Sequence, residues 1–347
     1  MCGHGFDFGS RKGAVMRWGL IGASNIAANH MIGAIRGAGG DIRSVLSADG
    51  ARAKAYAAQH GIARGYDDLA AMLAADDLDA VYISTTNEKH FAQAMAAIAA
   101  GKHVLCEKPL AMTVADAVGM VRAAGQAGVV FATNHHLRNA GSHLAMRELV
   151  QSGRIGDVLS VRVFHAVYLP TFLHGWRLDN PAAGGGVIAD ICVHDADTVR
   201  FHLGQDPVDV VAIDAASGLG RGVEDSCMSV WTMPSGAMVM AHQSFTHAHA
   251  QTGFEVHGTK GSIVARNVMT QRPVGQITLT TPAGSESVGF SDHDLYARAM
   301  DHFHAAVRGQ GRPAADGVDG IKSLAVAMAV TQAARTGRRT AVDYGGV

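Results

Sequence analysis

The first half of the chain alternates short apolar runs with helical patterns, and this alternation constrains its fold more than any other feature. Unbroken apolar runs separated by helices are typical of parallel strands that are buried on both faces of a sheet. The predicted strands are residues 17–23, 42–47, 80–85, 103–106 and 129–133. We therefore predict a parallel sheet with helices on both of its faces.

A different pattern begins after about residue 135. Strand-like runs follow one another with few helices between them, at residues 159–166, 208–215, 227–232, 238–244, 253–257, 262–265 and 276–280. Strands in series without crossover helices favour antiparallel pairing. A helix over 187–202 interrupts the series, and helices over 295–307 and 320–334 close the chain. We predict an α+β domain with a large, mostly antiparallel sheet.

The composition is that of a folded protein, with 48% hydrophobic residues, 17% charged residues and a net charge of −1. No basic patch indicates a nucleic-acid partner, and no apolar run is long enough to cross a membrane. The four cysteines show no C-x-x-C spacing, and residues 1–15 lack the apolar stretch of a secretion signal. These features predict reduced thiols and a cytoplasmic location.

A glycine turn joins the first predicted strand to the first predicted helix, with the sequence Gly22-Ala23-Ser24-Asn25-Ile26-Ala27. A dinucleotide fingerprint requires this position. Gly22 permits the tight turn, and Ala27 is small enough for close packing of the helix on the strand. Ser24 replaces the usual second glycine, and its N–H and hydroxyl can both face a pyrophosphate. The turn predicts a Rossmann-type dinucleotide site, although Gly-Ala-Ser also occurs in plain turns.

The end of the second predicted strand indicates which dinucleotide binds. An NAD site usually has Asp or Glu there, whereas this chain has Ser47, with Arg52 five residues later. A hydroxyl and a guanidinium can bind a 2′-phosphate that a carboxylate would repel, so we predict NADP. The alternative is that Arg52 is only a solvated helix residue, with Asp49 reducing the positive field.

These observations divide the chain into three parts. Residues 1–15 are an N-terminal extension, interpreted either as frayed or as preceding a true start at Met16. Residues 16–136 are an NADP-binding Rossmann domain, and residues 137–347 are a substrate-binding and catalytic α+β domain. The C-terminal helices are candidates to pack back on the first domain.

The sequence Cys106-Glu107-Lys108-Pro109 directly follows a predicted buried strand. It should lie at the carboxyl edge of the sheet, where open α/β sheets bind their ligands. Lys108 can there polarise a carbonyl or bind a substrate hydroxyl, with Pro109 fixing its direction. The plainer alternative is a surface Lys–Glu pair in a loop.

Asp190 and His194 lie four residues apart on the predicted helix 187–202, so that both side chains face the same side. A carboxylate beside an imidazole orients the ring and suits a proton donor to a developing alkoxide. Asp197 can play the same part, and the spacing does not choose between the two acids. Cys192 projects from another face and is interpreted as a core thiol.

The histidine pairs His135-His136 and His247-x-His249 make a poor metal site, because no third close ligand accompanies either pair. We predict no metal and interpret these side chains as the polar lining of a cleft.

Four segments together resemble the Gfo/Idh/MocA family of sugar and polyol oxidoreductases. They are GLIGASNIA at the first turn, HVLCEKPLAMT at the end of a sheet strand, GGGVIADICVHDADTVRF on the long helix and the hairpin GFEVHGTKGS. The resemblance extends from Met16 to about Asp343, and Glu-Lys-Pro followed by Asp-x-x-x-His is far more specific than the glycine turn. The N-terminal extension, Asn25 and the His247/His249 pair depart from the family pattern.

The resemblance also implies an activity, since STTNEKH, NHHLRN and GWRLD are similar to segments of bacterial NADPH-dependent reductases within the family. It implies reduction of the 2-keto group of 1,5-anhydro-D-fructose to 1,5-anhydro-D-mannitol, or of a close sugar ketone. In the implied mechanism Lys108 polarises the carbonyl, His194 donates the proton, and Asp190 orients His194 and holds a substrate hydroxyl. The implied substrate-binding residues are Lys108, His165, Trp176, Arg177, Asp190 and His194. The implied cofactor-binding residues are Gly22, Ser24, Asn25, Ile26, Ala27, Ser47, Arg52, Thr85, Asn87, His90, Glu107 and Lys108.

Two other functions stay open. One is an NAD(P)-dependent sugar or inositol dehydrogenase, whose NAD form Ser47 and Arg52 disfavour. The other is a non-catalytic nucleotide-sensing protein on the same fold, which the retained Lys108, Asp190 and His194 disfavour. The expected partner is a small sugar, and both a monomer and a homo-oligomer are compatible with the sequence.

Overall fold

The computed structural model of the 347-residue chain describes residues 15–74 and 77–347. Apart from Val15, the predicted N-terminal extension lies outside the described residues, and so does Cys2. Within the described ranges the chain builds two sheets, one of six strands and one of nine.

The first sheet is parallel throughout and has the order β3-β2-β1-β4-β5-β6. Its strands are β1 (Arg17–Ile21), β2 (Asp41–Leu46), β3 (Arg64–Tyr66), β4 (Ala80–Ile83), β5 (His103–Cys106) and β6 (Phe131–Thr133). The direction of strand order reverses between β1 and β4, and ligands bind at such switch points of open α/β sheets. The predicted parallel sheet is confirmed.

Helices cover both faces of this sheet. A π-helical turn, Ala27–Met31, continues into α1 (Ile32–Gly37), and the later helices are α2 (Gly50–Gln59), α3 (Leu69–Leu73), α4 (His90–Ala99) and α5 (Val114–Ala127). Trp18 and Ile35 are buried in the core on one face, and Ile83 and Met120 in the core on the other. The sequence pattern missed β3, because Arg64–Tyr66 is not an apolar run, and α3, because its five residues make fewer than two helical turns.

The second sheet has the order β14-β13-β12-β11-β7-β10-β9-β8-β15. Its strands are β7 (Val158–Ala166), β8 (Asp209–Ala215), β9 (Ser226–Thr232), β10 (Met238–Ser244), β11 (Gly253–Gly258), β12 (Ser262–Arg266), β13 (Gln276–Thr281), β14 (Gly284–Ser287) and β15 (Thr340–Ala341). Strands β7 and β10 pair in parallel and the other pairs are antiparallel, so the mostly antiparallel sheet is confirmed.

The later helices in the described ranges are α6 (Gly141–Gln151), α7 (Trp176–Asp179), α8 (Val193–Leu203), α9 (Leu295–Val307) and α10 (Gly317–Thr336). The predicted helix 187–202 is present, but it opens with a π-helical turn, Ile188–Cys192. From α9, Tyr296 and Phe303 enter the core beside Trp18 of the first sheet. In the described ranges, no helix combines the length and apolar character needed to cross a membrane.

Candidate active site

The glycine turn after β1 has a backbone that only glycine tolerates. Gly22 has φ 117°, and a Cβ there would lie 3.0 Å from the carbonyl group of Ser84. Its N–H donates to Leu46 O at 3.0 Å, which ties the turn to β2. The chain therefore passes close to β4 at the switch point, as a dinucleotide turn requires.

Ser24 organises the start of the following helix. Its hydroxyl accepts from the N–H of Ala27 at 3.2 Å and lies 2.7 Å from the Ser84 hydroxyl, while Tyr56 donates to its carbonyl at 2.9 Å. Asn25 and Ile26 open the helix, where the first N–H groups have no intrahelical partner. Such N–H groups attract a phosphate. Ala27 is fully buried, as its predicted packing role requires.

Arg52 reaches back to this turn. One guanidinium nitrogen donates to Ala23 O at 2.8 Å, so the side chain lies beside the glycine turn as well as in solvent. Asp49 accepts from the N–H groups of Ala51 and Arg52, so its carboxylate caps α2. Ser47 follows β2 at the same edge. Ser47 and Arg52 are the two residues that the sequence analysis assigned to the 2′-phosphate.

The segment after β4 is fixed mainly by contacts within the protein. Thr85 donates to Gln93 Oε1 at 2.6 Å, and Asn87 donates to Gly184 O at 3.0 Å. His90 is fully buried, with Nδ1 2.8 Å from Pro109 O and Nε2 3.2 Å from Thr85 O. Because both ring nitrogens face carbonyls, the His90 ring connects the segment after β4 to the loop that carries Lys108.

Glu107 lies under the same edge. Its Oε1 accepts from the Tyr82 hydroxyl at 2.5 Å and from the Asn134 amide at 2.7 Å. Burial raises the pKa of Glu107, and these hydrogen bonds oppose the shift. The main chain of Lys108 also hydrogen-bonds this carboxylate, which fixes Glu107 against the start of the Lys108 loop.

Lys108 follows β5 directly and meets the π-helical turn before α8. Its Nζ donates to both the Oδ1 and the main-chain oxygen of Asp190, each at 2.7 Å. Burial alone would raise the pKa of Asp190, but the charges of Lys108 and Arg177 lower it to about 2. Only 12% of the Lys108 side chain and 14% of the Asp190 side chain are exposed, so the pair forms a shielded charged centre.

The orienting partner predicted for His194 is not found. Asp190 turns its carboxylate to Lys108 and, at 3.4 Å, to Arg177 Nε. Asp197 pairs with Arg138 instead, with Oδ1 2.7 Å from Nη2. Both carboxylates pair with cations from other parts of the chain instead of with the His194 ring, and helical spacing alone does not reveal such partners. No hydrogen bond joins either acid to the His194 ring among residues 15–74 and 77–347.

His194 lies in a group of histidines. Its ring centroid is 4.9 Å from that of His136 and 6.2 Å from that of His165. Burial first, and then the charge of Lys108, hold the pKa of His194 well below its usual value. The ring is therefore neutral at rest and can accept a proton.

His165 has the carboxylate partner that His194 lacks. Its Nδ1 lies 2.8 Å from Oδ1 of the fully buried Asp195, whose Oδ2 accepts from Gln243 at 2.7 Å. The sequence analysis missed Asp195 and Gln243. The signal available for Asp195 was a second acid next to His194 in the segment VHDAD.

Trp176 and Arg177 form an outer wall of the site. The Arg177 guanidinium carbon lies 4.5 Å from the centre of the Trp176 ring, and both side chains are partly exposed. The ion pair with Asp190 joins this wall to Lys108. An aromatic face beside a charged centre is typical of a sugar-binding cleft.

Of the other residues singled out from the sequence, His135 lies near this centre, with its ring centroid 6.3 Å from that of His194. Cys192 is a buried free thiol whose pKa is raised by burial, which confirms the core interpretation. His135 lies 2.7 Å from the Ser323 hydroxyl, and His247 lies 2.8 Å from that of Ser244. His249 is exposed. Within the described ranges, no three His, Cys, Asp or Glu side chains are grouped to hold a metal ion.

The chain matches two family models. The model of the oxidoreductase family with an NAD-binding Rossmann fold covers residues 16–135, and that of the GFO/IDH/MocA C-terminal domain covers residues 143–264. The chain is 53% identical to the 1,5-anhydro-D-fructose reductase of Ensifer adhaerens, over 95% of this chain and 99% of that protein. It is 29% identical to the inositol 2-dehydrogenase of Rhizobium meliloti, over 94% of this chain and 99% of that protein.

A solved structure shows the same architecture. The aldose-aldose oxidoreductase of Caulobacter crescentus superposes with a TM-score of 0.85 at 26% identity, covering 94% of this chain and all of that chain. The glycine turn, the Lys108–Asp190 pair and the two sheets thus occur in a chain that both family models match. This chain belongs to the GFO/IDH/MocA family of oxidoreductases.

Proposed function

We propose that this protein catalyses the NADPH-dependent reduction of the 2-keto group of 1,5-anhydro-D-fructose to 1,5-anhydro-D-mannitol. The observation that carries the proposal is the Lys108–Asp190 pair beside His194 at the carboxyl edge of the parallel sheet. The 53% identity to a 1,5-anhydro-D-fructose reductase supports the choice of substrate.

The residues at the glycine turn fit a dinucleotide with a 2′-phosphate. The turn at Gly22 and the helix start at Ser24 would hold the pyrophosphate, and Ser47 and Arg52 would hold the 2′-phosphate. One N–H of Arg52 donates to Ala23 O, and the other N–H groups of the guanidinium are available to the phosphate. When bound, NADPH supplies the hydride.

Lys108 polarises the ketone. An ammonium has three N–H groups, and two of those on Lys108 go to Asp190. The third makes no hydrogen bond within the described ranges and is available to the ketone oxygen. Asp190 fixes the Lys108 ammonium, and Arg177 in turn pairs with Asp190. The positive charge is therefore held in place before the substrate oxygen becomes negative.

His194 delivers the proton that completes the alcohol. Because the ring is neutral at rest, it first takes up a proton from solvent, and its lowered pKa makes the resulting imidazolium a strong acid towards the developing alkoxide. His165, held by Asp195, binds a substrate hydroxyl, and Trp176 and Arg177 close over the sugar ring. These positions account for substrate choice through orientation.

Two pyridine nucleotides and a set of sugars test the proposal. The experiment follows the loss of NADPH, and separately of NADH, with 1,5-anhydro-D-fructose beside simple sugars and inositols. Rapid oxidation of NADPH by the anhydro-ketose, with little oxidation of NADH, is expected. Inactivity with that ketose combined with reduction of NAD by an inositol would assign the chain to the dehydrogenase alternative, in line with the inositol 2-dehydrogenase relative.

We place the enzyme in the cytoplasm. Cys106, Cys192 and Cys227 are free thiols buried in the structure, as in proteins of a reducing compartment. Cell fractionation with an antibody to the chain tests the location, and recovery outside the soluble intracellular fraction would contradict it.

A further inference from the structure

Several arginines converge on a second cleft, away from the Lys108–Asp190 pair. The cleft has a volume of about 280 Å³, and its lining includes Arg138, Arg147, Arg298, Arg312, Phe201 and His302. It lies between the segment before α6, the end of α8, α9 and the segment before α10. None of its lining residues belongs to the glycine turn or to the proposed catalytic set.

Two of these arginines are neutralised by acids. Arg138 pairs with Asp197 and Asp319, and Arg312 pairs with Asp316 and Asp319. The carboxylates therefore largely neutralise the positive charge of these two arginines, which contribute to the shape of the cleft more than to its electrostatic potential.

The other two arginines carry uncompensated charge. Arg147 donates from Nε to Phe201 O at 2.8 Å and stacks on the Phe201 ring, but it forms no ion pair in the part of the chain described. Arg298 has neither an ion pair nor a side-chain hydrogen bond within residues 15–74 and 77–347, although its Nε is buried. A buried charged donor without a partner is costly, so this atom indicates an acceptor that the protein chain does not supply.

The size of the cleft limits the ligand. Its volume corresponds to that of about nine liquid waters. A phosphate group with a small organic part fits this space, which opens to solvent on one side. Guanidinium groups are well suited to phosphate oxygens, which they bind through paired N–H donors.

We infer that this cleft is a binding site for a small phosphate compound, held by Arg147 and Arg298. Free phosphate, pyrophosphate and a small phosphate ester share the recognised chemistry. The site is independent of the reaction proposed above, since it uses none of the same side chains.

Calorimetric titration with pyrophosphate tests the inference. The titration is run at constant ionic strength with NADPH in excess, so that the glycine turn does not compete for the probe. Wild-type protein should bind pyrophosphate saturably, and Arg298→Gln should weaken binding by about tenfold or more, because one charge-assisted hydrogen bond is lost. Parallel titrations with phosphate and glycerol phosphate distinguish an inorganic from an organic source.

Arg122→Gln is the matched control, since Arg122 is exposed on α5 and has no side-chain hydrogen bond or ion pair within the described ranges. It should bind pyrophosphate as wild type does. Arg298→Gln should fold normally because its side chain bonds to nothing described, and Arg147→Gln provides a second variant with the same expected loss. Absence of saturable binding to wild type, or equal binding by wild type and both cleft variants, would overturn the inference.

Discussion

Lys108 Nζ lies 2.7 Å from Asp190 Oδ1, and this ion pair joins the carboxyl edge of the parallel sheet to the helical segment that carries His194. The lysine comes from the chain that follows β5, and the aspartate comes from the π-helical turn before α8. A cation from the first sheet is therefore fixed against the part of the chain that accompanies the second sheet. The Lys108 ammonium is thus already in position to stabilise negative charge on a substrate oxygen placed beside it.

Loss of the lysine charge should abolish most turnover. We expect Lys108→Met to lower kcat by about a hundredfold or more, the usual cost of removing one donor to a developing oxyanion. Asp190 would also lose its main partner, so KM for the sugar should rise. Lys260→Met, at an exposed position between β11 and β12, is the control and should leave kcat unchanged. Steady-state kinetics measure both values, and a Lys108→Met enzyme with wild-type kcat would exclude the polarising role.

The pH dependence should follow His194. Because the pKa of His194 lies well below its ordinary value, the protonated fraction falls about tenfold for each pH unit above that lowered pKa. Reduction needs the protonated ring, so its rate should rise as the pH is lowered towards this pKa. Oxidation of the alcohol needs the neutral ring and should level off above it.

The His194→Ala variant tests that assignment. It should lower kcat by about a hundredfold or more in both directions and remove the slope from both pH profiles. NADPH affinity, measured by fluorescence titration, should stay at the wild-type value, because no hydrogen bond or ring contact joins His194 to the glycine turn among the described residues. An equal loss of turnover and of NADPH affinity would contradict the role of His194.

Preference for the 2′-phosphate should depend on Arg52. Arg52→Gln removes a guanidinium from the glycine turn, where it donates to Ala23 O. We expect NADPH to bind about tenfold to a hundredfold more weakly, since a hydrogen bond to a charged group is lost. NADH binding should change much less, which makes it the internal control. A similar loss of affinity for both nucleotides would show that Arg52 acts only on the shape of the turn.

Two buried histidines should make the fold sensitive to acid. His143 Nδ1 lies 3.1 Å from His202 Nε2, and both side chains are fully buried. Burial lowers the pKa of His143 to about 4 and holds that of His202 well below its usual value. As the pH falls, these histidines therefore bind protons in the unfolded chain before they do so in the folded protein. The free energy of unfolding decreases as the pH falls from about 6.5 towards the lowered pKa values, by up to about 1.4 kcal/mol per pH unit for each histidine.

Unfolding in urea at several pH values between about 5 and 7 measures this slope. His202→Phe should reduce the slope by roughly the share of one proton, whereas His249→Gln, at an exposed position, should not alter it. An unchanged slope in His202→Phe would place the acid sensitivity elsewhere in the molecule.

Local patterns predicted the parts of the fold that depend on neighbouring residues. The parallel sheet followed from apolar runs between helices, and the position of Lys108 followed from its place directly after β5. The pattern did not detect β15, which has only two residues, or α3, which has fewer than two helical turns.

Long-range partners could not be predicted in this way. Asp190 and His194 have helical spacing, but Lys108, 82 positions earlier in the chain, takes the Asp190 carboxylate. In the same way Asp197 is taken by Arg138, and the pairing of Asp195 with His165 depends on how α8 lies on β7. Charge pairs between distant segments are decided by packing, which the order of residues does not display.

The transfer of a labelled hydride tests the central claim most directly. The protein is given 1,5-anhydro-D-fructose and NADPH that carries deuterium at both C4 positions, and the product is analysed by mass spectrometry and NMR. The account predicts 1,5-anhydro-D-mannitol with one deuterium at C2, formed by wild type and by Lys260→Met but only in traces by Lys108→Met. Absence of the labelled mannitol derivative from the wild-type reaction, or its formation at the wild-type rate by Lys108→Met, would contradict the account.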